Sequence, residues 1–357
     1  MTAETATERA MERKMKKTVA VAGATGAVGR VMLEVLEERK FPMKELRLFS
    51  SARSAGKKLT YGGKSITVEE LKVEKFKGVD IALFSMPKQV SKDLAWDIVK
   101  QGTIIVDNSN AWRADARVPL VVPEVNGAEV KKHQGIIANP NCSTIQMVVA
   151  LKPLHDAARI TRVVVATYQA VSGAGQAAME ELEESSRTAL AGKKVVPKVF
   201  PYPIAFNCIP QIPQSGAFEE NGFTTEEMKM LHETRKIMGD NRIQVCATTV
   251  RVPVLRAHSE VVNIEFEKPI SAEKARELLR KAPGVTVLDD TAKQEYPMPL
   301  MAAGHDDVYV GRIRKDYTVA NGITMWVVSD QLRKGAATNA VEIAQLLIER
   351  KERPPAA

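Results

Sequence analysis

Cys142 stands in the string Asn139-Pro140-Asn141-Cys142-Ser143-Thr144, after an apolar run at 135–138 and before an amphipathic stretch at 145–158. A cysteine where a strand hands over to a helix is placed to be a nucleophile. The first N–H groups of a helix lack intrahelical acceptors and the dipole is positive there, so a thiolate is favoured and its pKa falls. The chemistry would be attack on an acyl carbon. Most unpaired cysteines are small buried hydrophobes, so position alone leaves both readings open.

A second string, Gly23-Ala24-Thr25-Gly26-Ala27-Val28-Gly29, follows an apolar run at 18–22 and opens a helical pattern at 27–40. Glycine there lets the chain turn tightly, lets a pyrophosphate approach the backbone and lets the helix pack on the strand. The spacing is GxxGxxG rather than GxGxxG; its place directly after the first strand favours a dinucleotide loop over a plain turn. The next strand ends in Phe49-Ser50-Ser51-Ala52-Arg53-Ser54. An NAD site usually carries Asp or Glu at this point for the ribose 2′-hydroxyl, and none is present. Ser50, Ser51, Arg53 and Ser54 offer hydroxyls and a guanidinium suited to a 2′-phosphate, which favours NADP over NAD.

The elements that position these strings alternate in the first part of the chain. Strand-like runs at 46–49, 79–84 and 103–106, with a helical pattern at 88–101, predict a Rossmann-like, doubly wound α/β nucleotide domain over 18–141. After Cys142, longer strand-like runs at 162–168, 244–250, 261–266 and 322–329 predict an α+β domain over 142–333. The proline-rich segment 201–213 reads as an ordered crossing loop. A closing helix at 334–351 is expected to complete the first domain. Residues 1–17 read as a flexible charged extension, with Met15 a possible alternative start.

The 357 residues are 45% apolar and 26% charged, enough for two cores. Three irregularly spaced cysteines, Cys142, Cys208 and Cys246, argue against a disulfide framework or a metal site and for a reducing, cytoplasmic setting. The net charge of +8 is spread among acids and aromatics are only 5%, which suits anionic small molecules better than nucleic acid. No apolar run is long enough for a membrane span, and no secretory leader is expected.

With these strings in place, the chain resembles the aspartate-β-semialdehyde dehydrogenases of bacterial type. The likeness rests on 23–29, 50–54, Asp107-Asn108-Ser109, Trp112-Arg113, VPLVVPEV at 118–125, 139–144 and YQAVSGAG at 168–175. It continues through Phe206-Asn207, Ile209-Pro210-Gln211, 233–237, RVPVLRAHS at 251–259, 310–314 and 325–337, covering nearly all of 17–349. The resemblance implies reductive dephosphorylation of β-aspartyl phosphate by NADPH through a thioester on Cys142, in the biosynthesis of lysine, threonine, methionine and isoleucine. His258 would be the acid/base and Gln169 would orient the acyl group. Arg251 would clamp the substrate carboxylate, Glu233 would receive its ammonium, and Lys236, Arg113 and Asn108 would serve the phosphate. Ser172, Gly173 and Gln331 would approach the cofactor; many relatives carry asparagine where this chain has Gln331. Without the resemblance, Glu233 and Lys236 read as an exposed ion pair on a helix. Homodimers, or tetramers, are implied. Alternatives of the same architecture are γ-glutamyl-phosphate and malonyl-CoA reductases; one of another class is a non-catalytic NADP-binding redox sensor.

Overall fold

The computed structural model describes residues 17–349. Of the extension expected at 1–17, residues 1–16 lie outside the described residues and Lys17 is instead the first residue of a strand. The end of the closing helix beyond 349 also lies outside the described residues. The chain forms two compact units: one takes 17–121, 128–139 and 340–349, the other 122–127 and 140–339.

In the first unit, β1 (Lys17–Ala22) is buried on both faces from its second residue, as a central parallel strand must be. Around it lie β2 (Met43–Ser50), β3 (Lys58–Tyr61), β4 (Lys64–Glu70), β5 (Ile81–Phe84), β6 (Ile104–Asp107) and β7 (Ile136–Ala138). Their order is β3-β4-β2-β1-β5-β6-β7, parallel except for the β3–β4 hairpin at the edge. Helices Ala27–Glu38 and Lys88–Lys100 supply the crossovers. The edge hairpin goes beyond the sequence expectation: its strands are short and largely exposed, although Leu59 and Tyr61 in β3 and Ile66 and Val68 in β4 alternate with polar residues.

The second unit has a six-stranded mixed sheet, with β8 (Ile160–Gln169), β9 (Gln244–Arg251), β10 (His258–Phe266), β11 (Val285–Val287), β12 (Val308–Lys315) and β13 (Gly322–Ser329) in the order β11-β12-β13-β10-β8-β9. Helix Cys142–Ala158 lies against the sheet and against helices Thr225–Met238 and Ala272–Arg280. It starts at Cys142 and is buried on all sides from Ser143 through Leu151, so the amphipathic pattern expected at 145–158 does not describe its first half. The segment 201–213 is irregular, with Ile204, Ile209 and Ile212 buried and Ile209 bridged to Arg251.

Strand register decides which side chains meet. β10 alternates, with His258, Glu260, Val262 and Ile264 buried on one face. Arg251 pairs with Gln169 across β9 and β8, and Ser259 opposite Tyr168 brings His258 level with Gln169. One step deeper, Thr249, Thr167 and Glu260 form the next row. The end of β13 runs into a π-helical turn, Arg333–Ala337, and then helix Thr338–Glu349. That helix begins later than expected, because buried charged side chains hold 330–337 within the second unit.

Candidate active site

Cys142 is the first residue of its helix, and Asn141 caps it, its Oδ1 accepting from the N–H groups of Ser143 at 3.0 Å and Thr144 at 3.3 Å. Helix Thr225–Met238 pins Asn141 in turn. The Asn141 backbone N–H donates to Glu233 Oε2 at 2.6 Å, and its Nδ2 donates to Glu226 Oε1 at 2.7 Å. Glu233 is thus buried against the residue before the cysteine, not an exposed helix charge; Lys236, one turn on, is half-buried. On another side Gly335 passes so close that a Cβ there would lie 2.9 Å from Cys142 Cβ. Only glycine leaves the cysteine its place.

The sheet supplies the other polar groups. Gln169 donates from Nε2 to Ser143 Oγ at 2.9 Å, tying the end of β8 to the first turn of the cysteine's helix. Ala170 then serves two side chains: its carbonyl accepts from Arg251 Nη1 at 2.6 Å, and its N–H donates to His258 Nδ1 at 3.0 Å. Arg251 and His258 flank Gly173, where a Cβ would sit 3.1 Å from Arg251 Nη1 and 3.2 Å from His258 Nε2. Burial lowers the pKa of the Arg251 guanidinium, against the opposing pull of Glu226 and Cys142. It stays a cation under all ordinary conditions, and its charge reaches the sulfur. Burial, then Arg251, holds the His258 pKa well below the ordinary histidine range.

Ser172 and Gln331 lie together: Gln331 Nε2 donates to Ser172 Oγ, and Gln331 Oε1 accepts from the Ala257 N–H at 2.8 Å. Both ends of that amide are therefore engaged inside the second unit. Beside it, buried Asp330 caps the N–H groups of Leu332 and Arg333, accepts from the Gly304 N–H at 2.7 Å and pairs with Arg256. Arg333 pairs with Asp306 at 2.7 Å, and buried Lys334 with Glu124. These contacts fix the turn that carries Gly335.

In the first unit, Asn108 donates from Nδ2 to the Phe84 carbonyl at 2.9 Å and accepts from Asn139 Nδ2 at 2.9 Å, while Arg113 Nη2 donates to the Asn108 carbonyl at 2.8 Å. The loop is braced from behind by Ser91, whose hydroxyl donates to buried Asp107 and accepts from Trp112 Nε1. Burial raises the Asp107 pKa despite those bonds.

The glycine loop has the geometry its spacing implies. The Gly23 and Ala24 N–H groups bond to the Phe49 carbonyl, a Cβ on Gly29 would lie 2.2 Å from the Gly23 carbonyl oxygen, and Gly23 has φ +87°. Gly26 precedes helix Ala27–Glu38 without a side-chain cap, so Ala27, Val28 and Gly29 begin the helix with N–H groups that no capping side chain takes. Thr25 Oγ1 and Ser50 Oγ are 2.9 Å apart. Ser51 and Arg53 are exposed in the turn that follows β2, and Ser54 is buried. The close backbone packing and the uncapped helix start suit a dinucleotide pyrophosphate.

Sequence reasoning passed over Glu226, Glu124, Lys334, Gly335, Asp330 and Glu260. Glu226 was within reach, since it lies two helical turns before Glu233 on the same face. The others depend on contacts distant in sequence. Cys208 and Cys246 are exposed free cysteines. Among the described residues no group of His, Cys, Asp or Glu could hold a metal ion, and no helix is long and apolar enough to cross a membrane.

Two family descriptions match the chain: "Semialdehyde dehydrogenase, NAD binding domain" at 18–133 and "Semialdehyde dehydrogenase, dimerisation domain" at 151–334. A protein of Aquifex aeolicus named aspartate-semialdehyde dehydrogenase is 58% identical over 93% of this chain and 98% of its own length. A Bacillus subtilis protein of the same name is 53% identical over 92% and 96%. Among solved structures, aspartate semialdehyde dehydrogenase II of Vibrio cholerae complexed with ASA is similar with a TM-score of 0.90 and 46% identity, covering 94% of this chain and 98% of that one. The enzyme of Candida albicans with NADP is similar with a TM-score of 0.73 and 27% identity, over 93% and 98%.

Proposed function

The chain belongs to the aspartate-semialdehyde dehydrogenases, and we propose that it makes aspartate semialdehyde and phosphate from β-aspartyl phosphate and NADPH through a thioester on Cys142. The observation that carries this reading is the cysteine's setting: first residue of a capped helix, its preceding amide held by a buried glutamate, within the field of a buried arginine. Helix N–H groups and the guanidinium favour the thiolate.

Arg251 then meets the substrate carboxylate, and the Glu233 and Glu226 carboxylates make the surroundings of the cysteine receptive to an ammonium group. Lys236 is assigned to the phosphate in the second unit; Asn108 and Arg113 carry that assignment in the first. Gln169, held to the helix by Ser143, orients the acyl oxygen. When bound, the nicotinamide cofactor supplies the hydride. Gly23, Thr25, Gly26 and the helix start at Ala27, Val28 and Gly29 would hold its pyrophosphate; Ser50, Ser51, Arg53 and Ser54 would hold a 2′-phosphate, the feature that favours NADP. Ser172, Gly173 and Gln331 are further residues assigned to the cofactor. The outward face of the second sheet carries Tyr168, 41% exposed, beside Trp326, and supports a homodimer through that face. We place the enzyme in the cytoplasm.

The test is phosphate-dependent NADP reduction with aspartate semialdehyde, set against succinate and glutamate semialdehydes. Aspartate semialdehyde should be preferred, and Cys142→Ser should lower kcat by about 10³-fold or more, because an alkoxide is far harder to form at that site than a thiolate. Equal turnover of all three aldehydes would reject the substrate assignment. Full turnover by Cys142→Ser would reject the thioester.

A further inference from the structure

The loop that carries Asn108 and Arg113 is built around a buried carboxylate that the chemistry at Cys142 does not use. Asp107 ends β6 and is fully buried. Such a group needs donors, and it has two: the Ser109 N–H reaches Oδ1 at 2.5 Å and the Ser91 hydroxyl reaches Oδ2. Ser91 comes from helix Lys88–Lys100, is itself fully buried, and its oxygen accepts from Trp112 Nε1 at 2.9 Å. An indole N–H only donates, so the serine proton is left for the carboxylate. The relay therefore runs one way, from Trp112 through Ser91 to Asp107.

This relay joins the two ends of one short segment. Asn108 follows Asp107 directly and is tied to the Phe84 carbonyl and to Asn139, while Trp112 precedes Arg113 directly. Between them the Ala111 N–H donates to Ser109 Oγ at 3.1 Å. Arg113 Nη2 returns to the Asn108 carbonyl at 2.8 Å, so the guanidinium spans the same segment whose ends Ser91 connects. Charge links the parts as well. Burial raises the Asp107 pKa, whereas the bonds from Ser91 and Ser109, and then the Arg113 charge, pull it down. Trp112 also meets Trp96 edge to face with ring centroids 5.8 Å apart, which limits how the indole can turn.

Resting on the function proposed above, we infer that Ser91, Asp107 and Trp112 are positioning residues for the phosphate group: they do not touch it, and act by holding Arg113 in one orientation toward the anion. Arginine recognises phosphate through a planar fork, so its effect depends on direction as well as charge. A small misplacement of such a clamp weakens the contact without removing the charge. The consequence should be confined to phosphate, because the residues assigned to the aldehyde and to the nucleotide pyrophosphate lie elsewhere.

The test uses the full chain and two variants that break the relay at different points. Ser91→Ala removes its centre, and Trp112→Phe keeps a ring against Trp96 but removes Nε1–H. In the phosphate-dependent reaction, Ser91→Ala should raise the KM for phosphate by about tenfold, because it leaves two buried groups each one partner short. Trp112→Phe should raise it by about threefold or more, since one buried bond is lost; it is the milder change and carries the test if Ser91→Ala does not fold. In both, kcat at saturating phosphate and the KM values for aspartate semialdehyde and NADP should stay within about twofold, a split that general damage to the fold would not give. The double variant should be less impaired than the product of the two single effects, because both break the same relay. An unchanged phosphate KM, a parallel rise in all three KM values, or fully multiplicative effects would each overturn the inference. Calorimetric titration of inorganic phosphate into NADP-loaded protein makes the comparison without turnover, and the variants should bind phosphate about three- to tenfold more weakly. Absence of turnover in wild type would reject the proposed function, whereas phosphate bound equally by wild type and variants would reject the positioning role alone.

Discussion

Arg53 and Arg251 are assigned the same task, a guanidinium against an anionic ligand group, in opposite settings. Arg53 stands exposed in a turn after β2, while Arg251 is 3% exposed at the end of β9 with Nη1 committed to the Ala170 carbonyl. Around the first, the backbone does most of the holding and water screens the charge. Around the second, each polar group is fixed by another: Asn141 by Glu233 and Glu226, Gln169 by Ser143, His258 by Ala170. An exposed charge adjusts affinity, whereas a desolvated one organises the site.

Of the two arginines, Arg251 is therefore expected to give the larger effect. Arg251→Lys keeps the charge but loses the planar fork and the anchored Nη1. Losing a buried, hydrogen-bonded charge contact costs about 2–5 kcal/mol, so kcat/KM for aspartate semialdehyde should fall by about 30-fold or more. Steady-state kinetics check it. A loss below about fivefold would place the carboxylate elsewhere and break the contrast.

Arg53→Glu should act more gently and on the cofactor alone. The KM for NADPH should rise by about tenfold, that for NADH should change little, and kcat with saturating cofactor should hold, because the exposed charge contributes about a kcal/mol or so of screened attraction. Salt sharpens the comparison. Raising ionic strength should weaken NADPH binding in the wild type and much less in Arg53→Glu, while the substrate KM, set by a buried arginine, should move little in either. An unchanged NADPH KM in Arg53→Glu would remove the case for NADP.

How far each region could be read from sequence follows from the same physics. The loop at 23–29 is local: a strand, three glycines and a helix start within a dozen residues, and close backbone approaches such as that of Gly29 to the Gly23 carbonyl are consequences of spacing. Gln169, Arg251 and His258 have no local pattern. They meet because β8, β9 and β10 pair in a particular register, so only the family likeness named them in advance. Gly335 and the Lys334–Glu124 pair belong to the same non-local class. The helix of Cys142 was misjudged for a related reason: amphipathic patterns mark helices at a surface, and this one is enclosed.

The smallest expected effect sits deepest in the enclosed region. Glu260 is completely buried in the row beneath His258, with Gln146 of the cysteine's helix as the polar group acting on it, and burial raises its pKa well above the ordinary carboxylate range. A carboxyl whose folded pKa is raised binds its proton more tightly in the folded state, so its contribution to stability is full below the unfolded pKa and is lost as pH climbs toward the folded value. Wild type should accordingly lose stability relative to Glu260→Gln as pH rises from the acid range to neutrality and beyond. The amide copies the shape of the protonated carboxyl and does not ionise. Thermal unfolding of the two proteins across that range reads the difference: near coincidence in acid, and a gap that widens in favour of Glu260→Gln with increasing pH. A gap that opened in favour of wild type as pH rose would mean that Glu260 is ionised in the fold.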